Sequence, residues 1–233
     1  MLKSSPTVNF RDEEMGKLIA QSAGVESVNK FCEEDFEKVT MLNIGYTGYY
    51  DTLSDIEKCR QLDTLIIGYP EYMYCRYETK EKKIPEPESK ERIQQIEKEL
   101  GKILEKCPKL RVLCISNEND DFELDSLEFL KGQKNLEALR LEEQTAIDNY
   151  SYISECIHLK HLSLYGSNVS EISMIQGLEE LEGLNLAGTN ISEASDILKF
   201  KNLKDLAIRD TPIEKNEEEL ALIYQQFPDI DFY

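Results

Sequence analysis

Residues 159–169 read Leu159-Lys160-His161-Leu162-Ser163-Leu164-Tyr165-Gly166-Ser167-Asn168-Val169. Twenty-two residues on, the chain reads Leu181-Glu182-Gly183-Leu184-Asn185-Leu186-Ala187-Gly188-Thr189-Asn190-Ile191. Twenty-two further on, it reads Leu203-Lys204-Asp205-Leu206-Ala207-Ile208-Arg209-Asp210-Thr211-Pro212-Ile213. Leu or Ile recurs at the same places while the residues between vary. Such a fixed period marks a structure of stacked, similar units.

Working outward, the same Leu-x-Leu or Leu-x-Ile core occurs at Leu42-Asn43-Ile44, Leu65-Ile66-Ile67, Leu113-Cys114-Ile115 and Leu139-Arg140-Leu141. The seven first leucines are 23, 48, 26, 23, 22 and 22 residues apart, so one long insertion interrupts an otherwise regular series. Alternate residues of a strand face opposite ways, so the two core positions point inward together. One repeat cannot bury that face alone, whereas stacked repeats form a continuous core under a parallel sheet. Ser167, Thr189 and Thr211 fall where the chain turns inward, and a hydroxyl there can bond backbone groups of the turn.

The pattern resembles the leucine-rich repeat family in its bacterial, internalin-like 22-residue form, over about residues 9–230. The resemblance implies an α/β solenoid with about seven parallel strands on its concave face and a cap at each end. Asn9-Phe10-Arg11-Asp12, the apolar set Met15, Leu18 and Ile19, and Cys32-Glu33-Glu34-Asp35-Phe36 resemble that family's helical N-terminal cap. Ser or Thr replaces the usual ladder Asn. Residues 1–233 are expected to form one domain: a cap at 9–38, repeats at 39–213 with an insertion at 69–107, and a cap at 214–233.

Within the insertion, Ile93, Ile96, Leu100, Ile103, Leu104 and Cys107 recur at three- and four-residue steps. That spacing predicts an amphipathic helix from Ser89 to Lys106 on the convex side, between Pro87 and Pro108. Asn216 to Phe227 reads as a closing helix, with Ile230 and Phe232 covering the last coil. Cys59, Cys107 and Cys156 each stand six residues before the next core leucine, an inward site where free cysteine packs as a small hydrophobe. Cys114 lies between core positions and should face outward.

Catalytic chemistry is not visible, and no catalytic residue, cofactor site or metal site is assigned. Cys156-x-His158-x-x-His161 looks metal-like, but repeat register places His161 on an outward strand position and leaves no fourth ligand. Asn117-Glu118-Asn119-Asp120-Asp121 lacks the Gly and closing Glu of a calcium loop. No phosphate-binding glycine motif occurs. The expectation is therefore a non-enzymatic, protein-binding scaffold.

Two surfaces are candidates for the partner. The outward strand positions include Ile66, Arg140, His161, Tyr165 and Arg209. The strand-to-loop edge is crowded with tyrosines, of which Tyr46, Tyr50, Tyr69, Tyr74 and Tyr77 are candidates beside Glu118, Asp120 and Asp121. Tyr offers wide contact area with a polar handle. These rings either meet a partner or pack beneath the insertion. Tyr49 and Tyr72 match the inward position of Val169 and Ile191 and are assigned to the core.

The chain of 233 residues carries a net charge of −19. That charge argues against nucleic acid or an anionic membrane as partner. It suits a basic protein, so an inhibitor or immunity protein against a basic toxin or nuclease is the alternative function. A surface adhesin whose leader was removed is a further one. No apolar stretch of signal-peptide length follows Met1-Leu2-Lys3, which points to a cytoplasmic protein, and a monomer is favoured. The charge is uneven: residues 1–110 hold 21 acidic and 17 basic side chains, net −4, and residues 111–233 hold 25 and 10, net −15.

Overall fold

The computed structural model describes residues 8–68, 87–118 and 122–232. Among them, eight strands form one parallel sheet in strict chain order. They are β1 (Met41–Asn43), β2 (Thr64–Ile67), β3 (Val112–Ser116), β4 (Ala138–Glu142), β5 (His161–Ser163), β6 (Gly183–Asn185), β7 (Asp205–Ala207) and β8 (Asp231–Phe232). The first core leucines sit directly opposite one another, Leu42 against Leu65, then Leu113, Leu139, Leu162, Leu184 and Leu206. The fold is the expected α/β leucine-rich repeat solenoid. Its eighth strand carries no Leu-x-Leu core and pairs Phe232 with Leu206.

Between strands the chain returns along the convex side through short 3₁₀ turns, such as Ser54–Lys58, Ser151–Glu155 and Ile197–Lys199. Cys59 and Cys156 close two of these turns, Cys107 closes the helix of the insertion, and all three are fully buried. Burial pushes the Cys107 and Cys156 thiols up to about 12. Buried leucine and isoleucine from each coil join one continuous apolar cluster running from Val8 to Phe227. Each fully buried aliphatic side chain contributes roughly 1.5–3 kcal/mol of transfer free energy.

Spacing decides which residue turns inward after each strand. In the two 22-residue coils Val169 and Ile191 stand seven residues after the first core leucine, and both are buried. The coils starting at Leu42 and Leu139 are one residue longer, and there the inward residue stands eight after, at Tyr50 and Ile147. Tyr50 therefore packs against the core and donates its phenol to the Ile44 carbonyl at 2.9 Å. Tyr49, expected inside, is only half-buried. Tyr72 lies outside the described residues.

Buried polar side chains hold the inward turns. Thr189 and Thr211 donate their hydroxyls to the Leu186 and Ile208 carbonyls. At the equivalent position of the β4 coil stands Gln144, which is fully buried. Its Oε1 accepts from Leu124 N at 2.7 Å and its Nε2 donates to Phe122 O at 3.3 Å. One amide thus joins the β4 coil to the preceding one.

The N-terminal cap is α1 (Glu13–Ser22), capped by Asp12, whose Oδ1 accepts from Met15 N at 2.8 Å. Phe31 packs edge to face with both Phe10 and Phe36, which are tilted to each other, with centroids 4.9–5.8 Å apart. The fully buried Asp55 accepts from Arg11 N at 2.7 Å and Asp12 N at 3.0 Å, tying the cap to the first coil. The insertion helix is α2 (Lys90–Lys106), with Ser89 as its N-cap, close to the expected bounds. The C-terminal helix is α3 (Glu217–Gln226), capped by Asn216.

Candidate functional site

The face of the sheet away from the core is built from three columns of side chains set by strand register. Met41, Thr64, Val112, Ala138, His161, Gly183 and Asp205 form the first. Asn43, Ile66, Cys114, Arg140, Ser163, Asn185 and Ala207 form the second. Ser116 and Glu142 pair in the third, which Tyr165, Ala187 and Arg209 continue by repeat spacing.

Four of the expected partner-binding residues converge on the β4–β7 part of this face. Arg140, His161, Tyr165 and Arg209 are all exposed, with Tyr165 at 42%. Each is held. Arg140 Nη1 lies 3.7 Å from Glu142 Oε1, which also accepts from Ser163 Oγ at 3.0 Å. The His161 ring rests over Gly183, where an added Cβ would come within 2.7 Å of Nδ1. Between the large side chains lies a floor of Ser163, Gly183, Asn185, Ala187 and Ala207. Small residues keep the surface between the large side chains low, and the His161 ring lies over Gly183. This part of the face also carries both charge signs, Arg140 and Arg209 against Glu142 and Asp205.

Toward the N-terminal end the face differs. Met41 is 41% exposed. Ile66, expected to be exposed, is 0% exposed, although it points away from the main core and does not join that cluster. Cys114, also expected outside, is buried beside it, and desolvation pushes its thiol up to about 11. Register sets the direction of these side chains, but not whether water reaches them.

The tyrosine edge is a built element. Tyr46 and Tyr49 stack edge to face at 5.5 Å, and Tyr49 and Tyr50 at 6.4 Å. Helix α2 braces this turn from the convex side. Arg92 Nη2 donates to the Tyr50 carbonyl at 2.7 Å, and Thr47 Oγ1 donates to Glu88 at 2.8 Å. Glu99 accepts from Leu53 N at 2.9 Å and Thr52 Oγ1 at 2.6 Å. Tyr50, expected as a contact residue, is thereby fixed as a support, and burial foremost, with Asp12 next, pushes its phenol upward. Tyr46 remains half-exposed and Glu118 is exposed. Tyr69, Tyr74, Tyr77, Asp120 and Asp121 lie outside the described residues.

Sequence reasoning missed one array. The residue just before each strand from β2 to β7 is charged: Asp63, Arg111, Glu137, Lys160, Glu182 and Lys204. Arg111 Nε lies 2.6 Å from Asp63, Lys160 lies 3.0 Å from Glu137, and Lys204 lies 2.9 Å from Glu182. Lys160 and Lys204 hold the Glu137 and Glu182 carboxyls below the ordinary range. The repeat register, extended one residue upstream, was the signal that would have found it. A shallow groove of about 630 Å3, lined in part by Thr40, Asp63, Arg111 and Glu137, lies along this same edge and not on the open face.

No family profile matches the sequence, and no curated protein matches it. Solved structures with similar folds include internalin C2 of Listeria monocytogenes. It is 18% identical, covers 91% of this chain and 90% of its own, and has a TM-score of 0.58. Internalin InlF of the same organism is 16% identical with a TM-score of 0.58, and InlP is 17% identical with 0.56. This chain spans 61% of each of those two. At such identities the likeness is one of fold. Among the described residues, no helix is long and apolar enough to cross a membrane.

Proposed function

We propose that this leucine-rich repeat chain is a non-enzymatic scaffold that binds another protein on the β4–β7 part of its concave face. One observation carries the reading: Arg140, His161, Tyr165 and Arg209 are exposed on one face of neighbouring strands, among small residues. Each stands on a rigid strand or at its end, so little order is lost on binding. Arg and Tyr are the residue types that dominate interface energetics. The repeat architecture adds a broad curved surface suited to protein partners.

The test uses a photo-crosslinking amino acid at position 165 and, separately, at position 222. Tyr165 and Leu222 are comparably exposed, at 42% and 45%, but Leu222 lies on the C-terminal helix α3 and not on the strand face. Crosslinking in the source cell should give a defined protein adduct from position 165 and none from position 222. The same adducts from both positions, or from position 222 alone, would remove the concave face from the account.

A further inference from the structure

The charged edge has a property that its internal ion pairs do not require. Reading from β2 to β7, the signs run minus, plus, minus, plus, minus, plus through Asp63, Arg111, Glu137, Lys160, Glu182 and Lys204. Six alternating signs are complementary to the same series reversed. Placed antiparallel, Asp63 meets Lys204, Arg111 meets Glu182 and Glu137 meets Lys160, each pair occurring twice about a twofold axis. The side chains are 34–65% exposed, so they are accessible to a second molecule. At a strand spacing of about 4.8 Å the six rungs extend over roughly 24 Å.

A second observation points the same way. Flanking the ladder, the N-terminal half of this edge exposes Arg60, Lys109 and Lys134, and the C-terminal half exposes Glu179 and Glu180. Antiparallel placement brings Lys109 over the Glu179 and Glu180 coil. It also keeps the two halves of net charge −15 away from each other, which a parallel placement would not. Arg60 would meet Lys201, an unfavourable contact against the favourable ones.

We propose that two copies of this chain associate antiparallel along this edge, about an axis between Glu137 and Lys160. Such an isologous contact is the commonest form of homodimer. It departs from the monomer that composition favours. A charge of −19 per copy opposes it at long range. At physiological salt the Debye length is about 8 Å, which screens the distant charges more than the touching ones. Dimerisation should therefore peak near 0.15 M salt. It should weaken at 0.01 M, where screening reaches only past about 30 Å, and at 1 M, where even contacts are screened.

Sedimentation velocity of the full chain across micromolar concentrations tests this. Lys160→Glu places like charges at both central rungs and should weaken the dimer about tenfold or more. The exchange Glu137→Lys plus Lys160→Glu separates the two explanations of the ladder. It puts like charges next to each other within a chain, Arg111 beside position 137 and position 160 beside Glu182. It keeps every antiparallel contact between chains opposite in sign. The wild type and the exchange should both dimerise, and the single reversal should not. A wild type that stays monomeric, a single reversal that dimerises as well as wild type, or an exchange as monomeric as the single reversal would each overturn the proposal. Circular dichroism melts establish that the variants fold. Lys204→Glu and the Asp63→Lys plus Lys204→Glu exchange repeat the logic at the outer rungs if a central variant does not.

Discussion

Replacing Gln144 with Leu keeps the volume and removes the amide that joins the β4 coil to the one before. Two groups lose their partner, the Leu124 N–H at 2.7 Å and the Phe122 carbonyl at 3.3 Å. All three residues are buried, with Gln144 and Leu124 at 0% and Phe122 at 1%. A buried polar group left unpaired costs about 1–3 kcal/mol. The short bond belongs near the top of that range and the long one near the bottom. The sum is about 4 kcal/mol, or roughly 8–16 °C in melting temperature for a chain of this size. Equilibrium urea unfolding, followed by circular dichroism and by tyrosine fluorescence, measures it. Gln144→Glu should cost as much, since it loses the Nε2 donor and aims a carboxylate at the Phe122 carbonyl. A Gln144→Leu variant within about 0.5 kcal/mol of wild type would refute the reasoning, because surface changes alone stay in that range.

Asp55→Ala should destabilise by about 3 kcal/mol, since it orphans the Arg11 and Asp12 amides inside the cap junction. Hydrogen exchange should then accelerate first at residues 11–20, and uniform acceleration along the chain would argue against a local junction. Gly68→Ala should be far costlier than Gly45→Ala, although both glycines have positive φ, +85° and +62°. A Cβ on Gly68 would stand 2.2 Å from the Ser116 carbonyl oxygen, whereas one on Gly45 meets nothing within 4 Å. The left-handed penalty of about 1–2 kcal/mol applies to both and the backbone clash only to the first, so similar losses in thermal melts would contradict the packing. Cys107 and Cys156, with thiol pKa values near 12, should remain unalkylated by iodoacetamide at pH 8 in the native protein and react in urea. Peptide mapping reads this directly, and native labelling at either residue would count against the buried assignment.

The fold was legible because burial imposes a period. Each coil must supply inward leucines at fixed places, so Leu162, Leu184 and Leu206 announce the strands that carry them. Helix α2 was legible for the same reason, its apolar steps bounded by Ser89 and Pro108. The Tyr49 and Tyr50 reversal shows where the method slips. The extra residue of the first coil is inserted after the strand, and the 23-residue spacing already contained that shift. Ile66 and Cys114 show a different limit. Strand alternation says that a side chain points outward, but not what other parts of the protein exclude water from it. Gln144 escaped because its role depends on a neighbouring coil in which no residue repeats its type. The exposed set of Arg140, His161, Tyr165 and Arg209 was legible through register alone. Their arrangement around a glycine and alanine floor emerged only when β5, β6 and β7 were set side by side.

The central claim is that binding occurs on the β4–β7 part of the concave face, and affinity tests it most directly. With the partner recovered from the position-165 adduct, isothermal titration calorimetry should compare wild type with Arg140→Ala plus Tyr165→Ala, and with Leu222→Ala on helix α3. The account predicts a loss of tenfold or more for the concave variant, about 1.4 kcal/mol, and no change for the helix variant. Unchanged affinity for the concave variant, with a melting temperature equal to wild type, would contradict it.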